Sequence, residues 1–321
     1  MPAPIPRTMP EARGLGLHRF AVLTAAATLL LIVAGGLVTS TESGLSVPDW
    51  PLSYGRLMPP MVGGIFYEHG HRMVATSVGI LTVILAAGLY RREPRAWVRR
   101  LGYAALAAVV LQGVLGGLTV IFLLPTAVSV AHACLAQTFF CLVVTLAVVT
   151  SPRWRDADRV AGGRIARIGA ATVAMIFLQL LIGAVMRHTK AGLAIPDFPL
   201  AFGRVVPSFS SFPVAIHFAH RVGALAVAAL VLACAILASR SGRPGLKKTA
   251  LLLVLLVAAQ ISLGAFTVLS GKAVAVTTAH VATGALLLGS ALAFTLGALR
   301  GRRVADARAT RPGLARTEAI A

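Results

Sequence analysis

Tyr67-Glu68-His69-Gly70-His71-Arg72 stands at the mouth of an apolar stretch that runs on from Met73 to Tyr90. Ionisable groups are rare at membrane depth, so a glutamate, two histidines and an arginine at that position point to function rather than to filler. The pattern occurs twice. Ile216-His217-Phe218-Ala219-His220-Arg221 opens a second apolar stretch, with His220-Arg221 standing where His71-Arg72 stood.

The pair of motifs belongs to a duplication of the whole chain. Ala191-Gly192-Leu193-Ala194-Ile195-Pro196-Asp197-Phe198-Pro199-Leu200 echoes Ser43-Gly44-Leu45-Ser46-Val47-Pro48-Asp49-Trp50-Pro51-Leu52, Pro196 against Pro48 giving an offset of 148. Gln112 and Gly116 match Gln260 and Gly264 at that same offset, and His132 matches His280; His71 to His220 is 149, one residue of slippage in the loop. Each copy holds four apolar runs. An even number leaves both copies facing the same way, so the duplication is parallel, not inverted.

Composition sets the class. With 57% hydrophobic and 12% charged residues and a mean hydropathy of +0.84, the chain lies outside the soluble range. Runs of bilayer-spanning length fall at roughly 20–39, 65–89, 101–124, 127–150, 166–186, 213–238, 248–269 and 274–299. The first belongs to the repeat and is therefore kept as a span, not taken for a cleaved leader. The sequence thus predicts an all-α membrane protein of eight transmembrane helices, two tandem four-helix bundles related by a pseudo-twofold axis along the membrane normal. The expected divisions are a lead-in without structure of its own (1–18), a first bundle (19–150), a polar linker (151–165), a second bundle (166–299) and a basic tail (300–321).

A net charge of +20 in a soluble protein would suggest nucleic acid, but here 23 of the 30 basic residues precede the first run, follow even-numbered runs or sit in the tail. That is one face of the bilayer, and the positive-inside rule makes it and both termini cytoplasmic. No nucleic acid is needed to explain the charge. The three cysteines, Cys134, Cys141 and Cys234, lie inside predicted helices, where small thiols are ordinary packing residues.

His71 and His132 are expected at similar depth, roughly 8–9 Å from the outer ends of their helices, and His220 and His280 repeat them. Two such histidines on two helices of one bundle suit axial ligation of one heme iron; zinc or copper would want further nitrogen or sulfur ligands that no segment supplies. Arg72 and Arg221, next to the ligand candidates, suit either interface snorkelling or pairing with heme propionates. Gly113, Gly116, Gly117 and Gly264 thin one face of their helices, for close packing or for a flat macrocycle. His69 and His188 are expected near the outer mouth as proton carriers or solvated groups, and His18 has no counterpart. The halves differ where Glu68 faces His217: at three residues from His71, Glu68 shares its face and is either a proton-handling carboxylate over the same macrocycle or an interface partner of Arg72.

Glu68-x-x-His71-Arg72, His132, His220-Arg221, His280, the Pro48-Asp49-Trp50-Pro51 loop with its Pro196-Asp197-Phe198-Pro199 echo, and the duplicated plan together resemble the heme A synthase family over about residues 20–298. The resemblance implies conversion of heme O to heme A for heme-copper terminal oxidases in a bacterial cell membrane. It further implies a resident heme B held by His220 and His280 with Arg221 beside it, a substrate heme O near His71, His132 and Arg72, and Glu68 as the catalytic residue for oxidation of a ring methyl to formyl. A heme O synthase and an external electron donor or acceptor are the partners it implies. Many bacterial members carry a cysteine pair in an outer loop, which this chain lacks. The residues alone reach a two-heme membrane protein with unlike sites. A diheme b-type electron carrier and a heme-delivery protein also fit that description, although a carrier would stack its hemes across the bilayer, whereas all four histidines fall in one half of it.

Overall fold

The computed structural model describes residues 9–159 and 163–301. Among the described residues there are eight long helices: α1 (Met9–Ser40), α2 (Gly63–Arg92), α3 (Ala96–Ile121), α4 (Thr126–Thr150), α5 (Gly163–His188), α6 (Phe212–Ser239), α7 (Pro244–Leu269) and α8 (Val274–Ala298). All eight are long and apolar enough to cross a membrane. With no water to satisfy backbone amides in hydrocarbon, a continuous helix is what such segments must form. Besides them the described residues hold a helical turn at Pro152–Arg155, a 3-10 turn at Ala191–Leu193 and an antiparallel pair of two-residue strands, Asp158–Arg159 with Arg300–Gly301.

Within the first half α1 packs on α2 and α4, and α3 on the same two; α5, α6, α7 and α8 repeat these contacts in the second half. The halves meet through α1 on α8, α4 on α5, and α4 on α8. Exchanging the halves carries that set of contacts onto itself. The backbone repeats as closely: the residues with left-handed φ include Glu42 and Lys190, Tyr54 and Phe202, Gly55 and Gly203, Leu123 and Gly271, and Leu124 and Lys272, each pair 148 apart. Seven of these ten residues carry side chains, and side-chain-bearing residues rarely adopt that conformation; a shared loop geometry accounts for the match.

Small residues let the halves approach. A Cβ on Gly289 would meet the Phe140 ring at 2.9 Å, and one on Gly36 would touch Thr278 and Val281 at 3.6 Å. Close backbone approach of this kind is how helices gain contact where the surrounding lipid is as apolar as they are. Polar groups add to it: Arg187 of α5 donates to the Gly36 carbonyl (3.2 Å) and to Ser40 Oγ (2.8 Å) of α1.

The structure departs from the sequence reading at the basic face. The first helix begins at Met9, and residues 15–18 belong to its span, so the expected unstructured lead-in is helical over its second half. Proline in a first helical turn lacks only an amide that would be unpaired there anyway, so Pro10 does not stop it. His18, assigned no role above, shares a hydrogen bond of 2.9 Å with the Ala147 carbonyl near the end of α4. The linker is also folded: Ser151 Oγ accepts from the Trp154 amide at 3.2 Å, capping the turn that buries Trp154. Residues 1–8, 160–162 and the tail from 302 lie outside the described residues.

Gly289→Val should wedge Phe140 away from α8. Overpacking of this kind costs roughly 1–3 kcal/mol, so thermal unfolding of the detergent-solubilised variant should begin several degrees lower. Gly245→Ala, where a Cβ meets nothing within 4 Å, is the control and should unfold with the parent.

Candidate functional site

Each of the four histidines singled out by the repeat lies against a bare helical glycine of a neighbouring helix. A Cβ on Gly35 would come within 3.1 Å of His71 Cε1, one on Gly116 within 3.2 Å of His132 Cε1, one on Gly183 within 3.1 Å of His220 Cε1, and one on Gly264 within 3.2 Å of His280 Cε1. Gly35 and Gly183 are 148 apart, as are Gly116 and Gly264. The glycine expectation therefore holds for Gly116 and Gly264 with a different purpose: they seat an imidazole. A Cβ on Gly113 meets nothing within 4 Å, and one on Gly117 would fall 2.6 Å from the Trp50 indole. Gly117 makes room for Trp50 of the loop, and at the matching positions the second half has a smaller ring, Phe198, with one carbon more, Ala265.

Glutamines fix three of the rings. The Gln112 amide nitrogen lies 3.2 Å from His132 Nε2 and donates to the His132 carbonyl at 3.0 Å. Gln260 stands 3.3 Å from His280 Nε2. Gln179 stands 3.0 Å from His220 Nδ1 and donates to the His220 carbonyl at 2.6 Å. Gln179 has no polar counterpart, since Leu31 occupies the matching position. The opposite nitrogens of His132 and His280, and Nδ1 of His71, are buried without a partner. Such orphaned nitrogens are costly in an apolar interior, and a ligand or metal removes the cost.

The His220 and His280 rings stand edge to face, their planes at 63° and their centroids 6.4 Å apart. A metal–imidazole bond of about 2 Å on each side, plus roughly 1 Å from nitrogen to ring centre, sums to about 6 Å, so the pair suits a single metal ion between two rings. Among the described residues no three of His, Cys, Asp and Glu gather into one group. A pair of imidazoles fits an iron whose other ligands come from a macrocycle, and the donor set here fits heme on that ground. Cys134 and Cys141 are half-buried and Cys234 is buried, with Thr172 Oγ1 at 3.3 Å from its sulfur.

The two long loops are folded caps, and each is tied to its bundle by the arginine after the histidine. Arg72 donates to the carbonyls of Asp49 (2.8 Å), Leu52 (2.9 Å) and Val47 (3.3 Å). Arg221 donates to those of Leu200 (2.8 Å), Ile195 (3.2 Å) and Asp197 (2.7 Å). Both terminal nitrogens of each guanidinium are thus engaged by loop backbone, where the sequence suggested snorkelling or propionates. Within each loop an aspartate closes a tight turn: Asp49 accepts from the amides of Tyr54 (2.6 Å) and Gly55 (2.8 Å), Asp197 from those of Phe202 (2.7 Å) and Gly203 (2.8 Å). The Gly55 and Gly203 amides hold the respective carboxyls below the ordinary range, so both turns stay closed at neutral pH and loosen only as pH falls through those lowered values.

Glu68 is buried, accepts from the Val47 amide at 2.8 Å and pairs with Arg72 at 2.7 Å. Of the two readings offered by the sequence, the Arg72 partner is present in the geometry, and the carboxylate points to the loop. His217 fills the same place in the second half, its Nδ1 accepting from the Ile195 amide at 3.2 Å. A second difference escaped the sequence reading. His69 is buried, not solvated, and its Nδ1 lies 2.8 Å from Ser53 Oγ; the matching residues are Phe218 and Ala201, the latter in a small apolar cluster that Phe218 packs against. His188 is half-buried at the end of α5 and its carbonyl accepts from Thr126 at 3.5 Å.

Comparison with known proteins bears on what such a scaffold is. A family model described as cytochrome oxidase assembly protein, COX15-CtaA, matches residues 18–63 and 63–292. Heme A synthase of Halalkalibacterium halodurans is 33% identical over 277 residues, 81% of this chain and 90% of that protein. Heme A synthase of Symbiobacterium thermophilum is 33% identical over 78% of this chain and 84% of its own length, and that of Sphingopyxis alaskensis 32% identical over 88% and 92%. The family model takes in most of the chain, with both histidine-bearing motifs, so the chain belongs to the COX15-CtaA family of cytochrome oxidase assembly proteins.

Proposed function

We infer that the protein is a heme A synthase, a multi-pass enzyme of the bacterial cell membrane that oxidises a ring methyl of heme O to a formyl group. What carries the reading is family membership together with a carboxylate, Glu68, that only one of the two histidine sites possesses. The first half, with His71 and His132, is assigned to the substrate heme O. The second half, with His220 and His280, is assigned to a resident heme B, which when bound would supply a one-electron redox centre. An external electron acceptor is required, and a heme O synthase is the natural source of substrate. The basic face is assigned to the cytoplasm, so both sites open to the other side.

The roles of the residues follow from their surroundings. His71 and His132 orient the substrate by their unpartnered nitrogens, and Gly35 and Gly116 let those rings sit close to the helix backbone. Conversion of methyl to formyl takes its oxygen atom from water, passes electrons to the external acceptor and releases protons, and Glu68 is the carboxylate placed to receive protons beside His71. Arg72 holds Glu68 and the cap together and so fixes the loop over the site. Arg221 does the same for the cap of the second half, where His217 replaces the carboxylate and the site is left to electron transfer.

Two variants separate these roles. Glu68→Gln keeps an oxygen for the Val47 amide, and Arg72 keeps its loop carbonyls, so the variant should fold, retain heme B and bind heme O. Its heme A yield should fall on the order of 100-fold, the scale of a lost acid–base group, when extracted hemes are resolved by mass. Wild-type yield would return Glu68 to a purely structural partner of Arg72. His280→Ala should remove most of the low-spin heme B absorbance from the purified protein; an unchanged spectrum would mean that other residues ligate the iron.

A further inference from the structure

Away from the histidines, at the basic face, a cavity of about 270 Å³ is lined by Glu93, Pro94, Arg95, Trp154, Arg155 and Arg300. Three separate parts of the chain meet there: the turn between α2 and α3, the linker after α4, and the chain just past α8. Glu93 is wholly buried and its oxygens are engaged, Oε1 by Arg95 Nε at 2.6 Å and Oε2 by Arg95 Nη2 at 3.0 Å and Arg155 Nη2 at 2.9 Å. Burial pushes its pKa up, but the hydrogen bonds and charge of Arg95, with Arg155, bring it below the ordinary value. One carboxylate therefore stands against three guanidiniums, and the lining keeps a surplus of positive charge.

The remaining side-chain groups are donors. Arg300 lies over the Trp154 ring, 4.8 Å from its centroid, and donates to the Ala157 carbonyl at 2.9 Å. Trp154 is 9% exposed, and its indole Nε1–H is buried with no acceptor. An indole N–H and a guanidinium can only donate, so a cavity with surplus positive charge and an unused buried donor suits an anion with several acceptor oxygens. The level of the cavity in the bilayer says which. Exposed Tyr90, Trp97 and Tyr103 surround this end of α2 and α3, and aromatic side chains of this kind collect at headgroup depth. Basic pockets between helices at that depth take lipid phosphates.

We propose that this cavity binds the phosphate of an anionic phospholipid headgroup, with Trp154 Nε1, Arg155 and Arg300 as its donors. The bound phosphate joins the first half, the linker and the end of the second half, and so strengthens the pairing of the two bundles.

The test uses the full-length protein in neutral detergent, with thermal unfolding followed during titration with phosphatidylglycerol, phosphatidylcholine or inorganic phosphate. Phosphatidylglycerol should raise the midpoint saturably, and the other two should not at equal concentration. Trp154→Phe keeps a ring beneath Arg300 and removes the N–H with part of the indole; it should weaken the apparent affinity about ten- to a hundredfold, the scale of one hydrogen bond to a charged group, with heme content unchanged. If that variant folds poorly, Arg300→Gln must show the same weakening. An equal shift with phosphatidylcholine overturns the proposal, as does equal protection by inorganic phosphate, which would make this an ion site without a lipid. Unaltered phosphatidylglycerol affinity in the variant that folds also overturns it.

Discussion

A bare glycine backbone beneath each of four imidazoles is the contact on which the arrangement depends. At 3.1–3.2 Å from the ring carbon, a methyl on Gly35, Gly116, Gly183 or Gly264 would have to displace the histidine or the helix. The glycines are therefore what bring α1 toward α2, α3 toward α4, α5 toward α6 and α7 toward α8 at the depth of the ligand candidates. They also fix where each ring can go, which is why His220 and His280 end with their centroids 6.4 Å apart. A site built from single side chains on separate helices has to be held by the helices themselves.

Upon that shared scaffold the two halves diverge in three places. Glu68 and His217 do the same backbone work for their loops, accepting from Val47 and Ile195, but only one is a carboxylate. His69 and Ser53 form a buried polar pair where Phe218 and Ala201 are apolar. Gln179 holds His220 where the matching residue, Leu31, has no polar side chain. The first half thus concentrates polar groups around its cap, and the second concentrates them on its histidine. That division suits a site where chemistry occurs beside one where a cofactor is held still.

The fold was legible in the chain because hydropathy sets span length and the offset of 148 sets the plan; both are properties of residue type and spacing. The ends were harder. Helix α1 extends back past the expected boundary at residue 19, where the His18 ring has a carbonyl to meet on α4. At the site, His71, His132, His220 and His280 stood out as polar residues in apolar runs, whereas Gly35 and Gly183 gave no signal by themselves, since a glycine's role is known only from what lies opposite. Arg72 and Arg221 were read by charge, for snorkelling or for heme propionates; the folded loops engage both with carbonyls, a partner that depends on backbone direction and not on composition. The same holds for His69, whose burial follows from the loop carrying Ser53 over it.

Heme O, proposed to bind in the first half, is the molecule whose fate decides the function. The direct measurement is expression of the protein in a host that makes heme O but not heme A, followed by extraction and mass analysis of the hemes. Appearance of the formylated product, dependent on the protein, is what the account predicts. Heme O recovered unchanged, alongside heme B firmly bound to the purified protein and with an electron acceptor present, would contradict it and leave a protein that holds hemes without altering them.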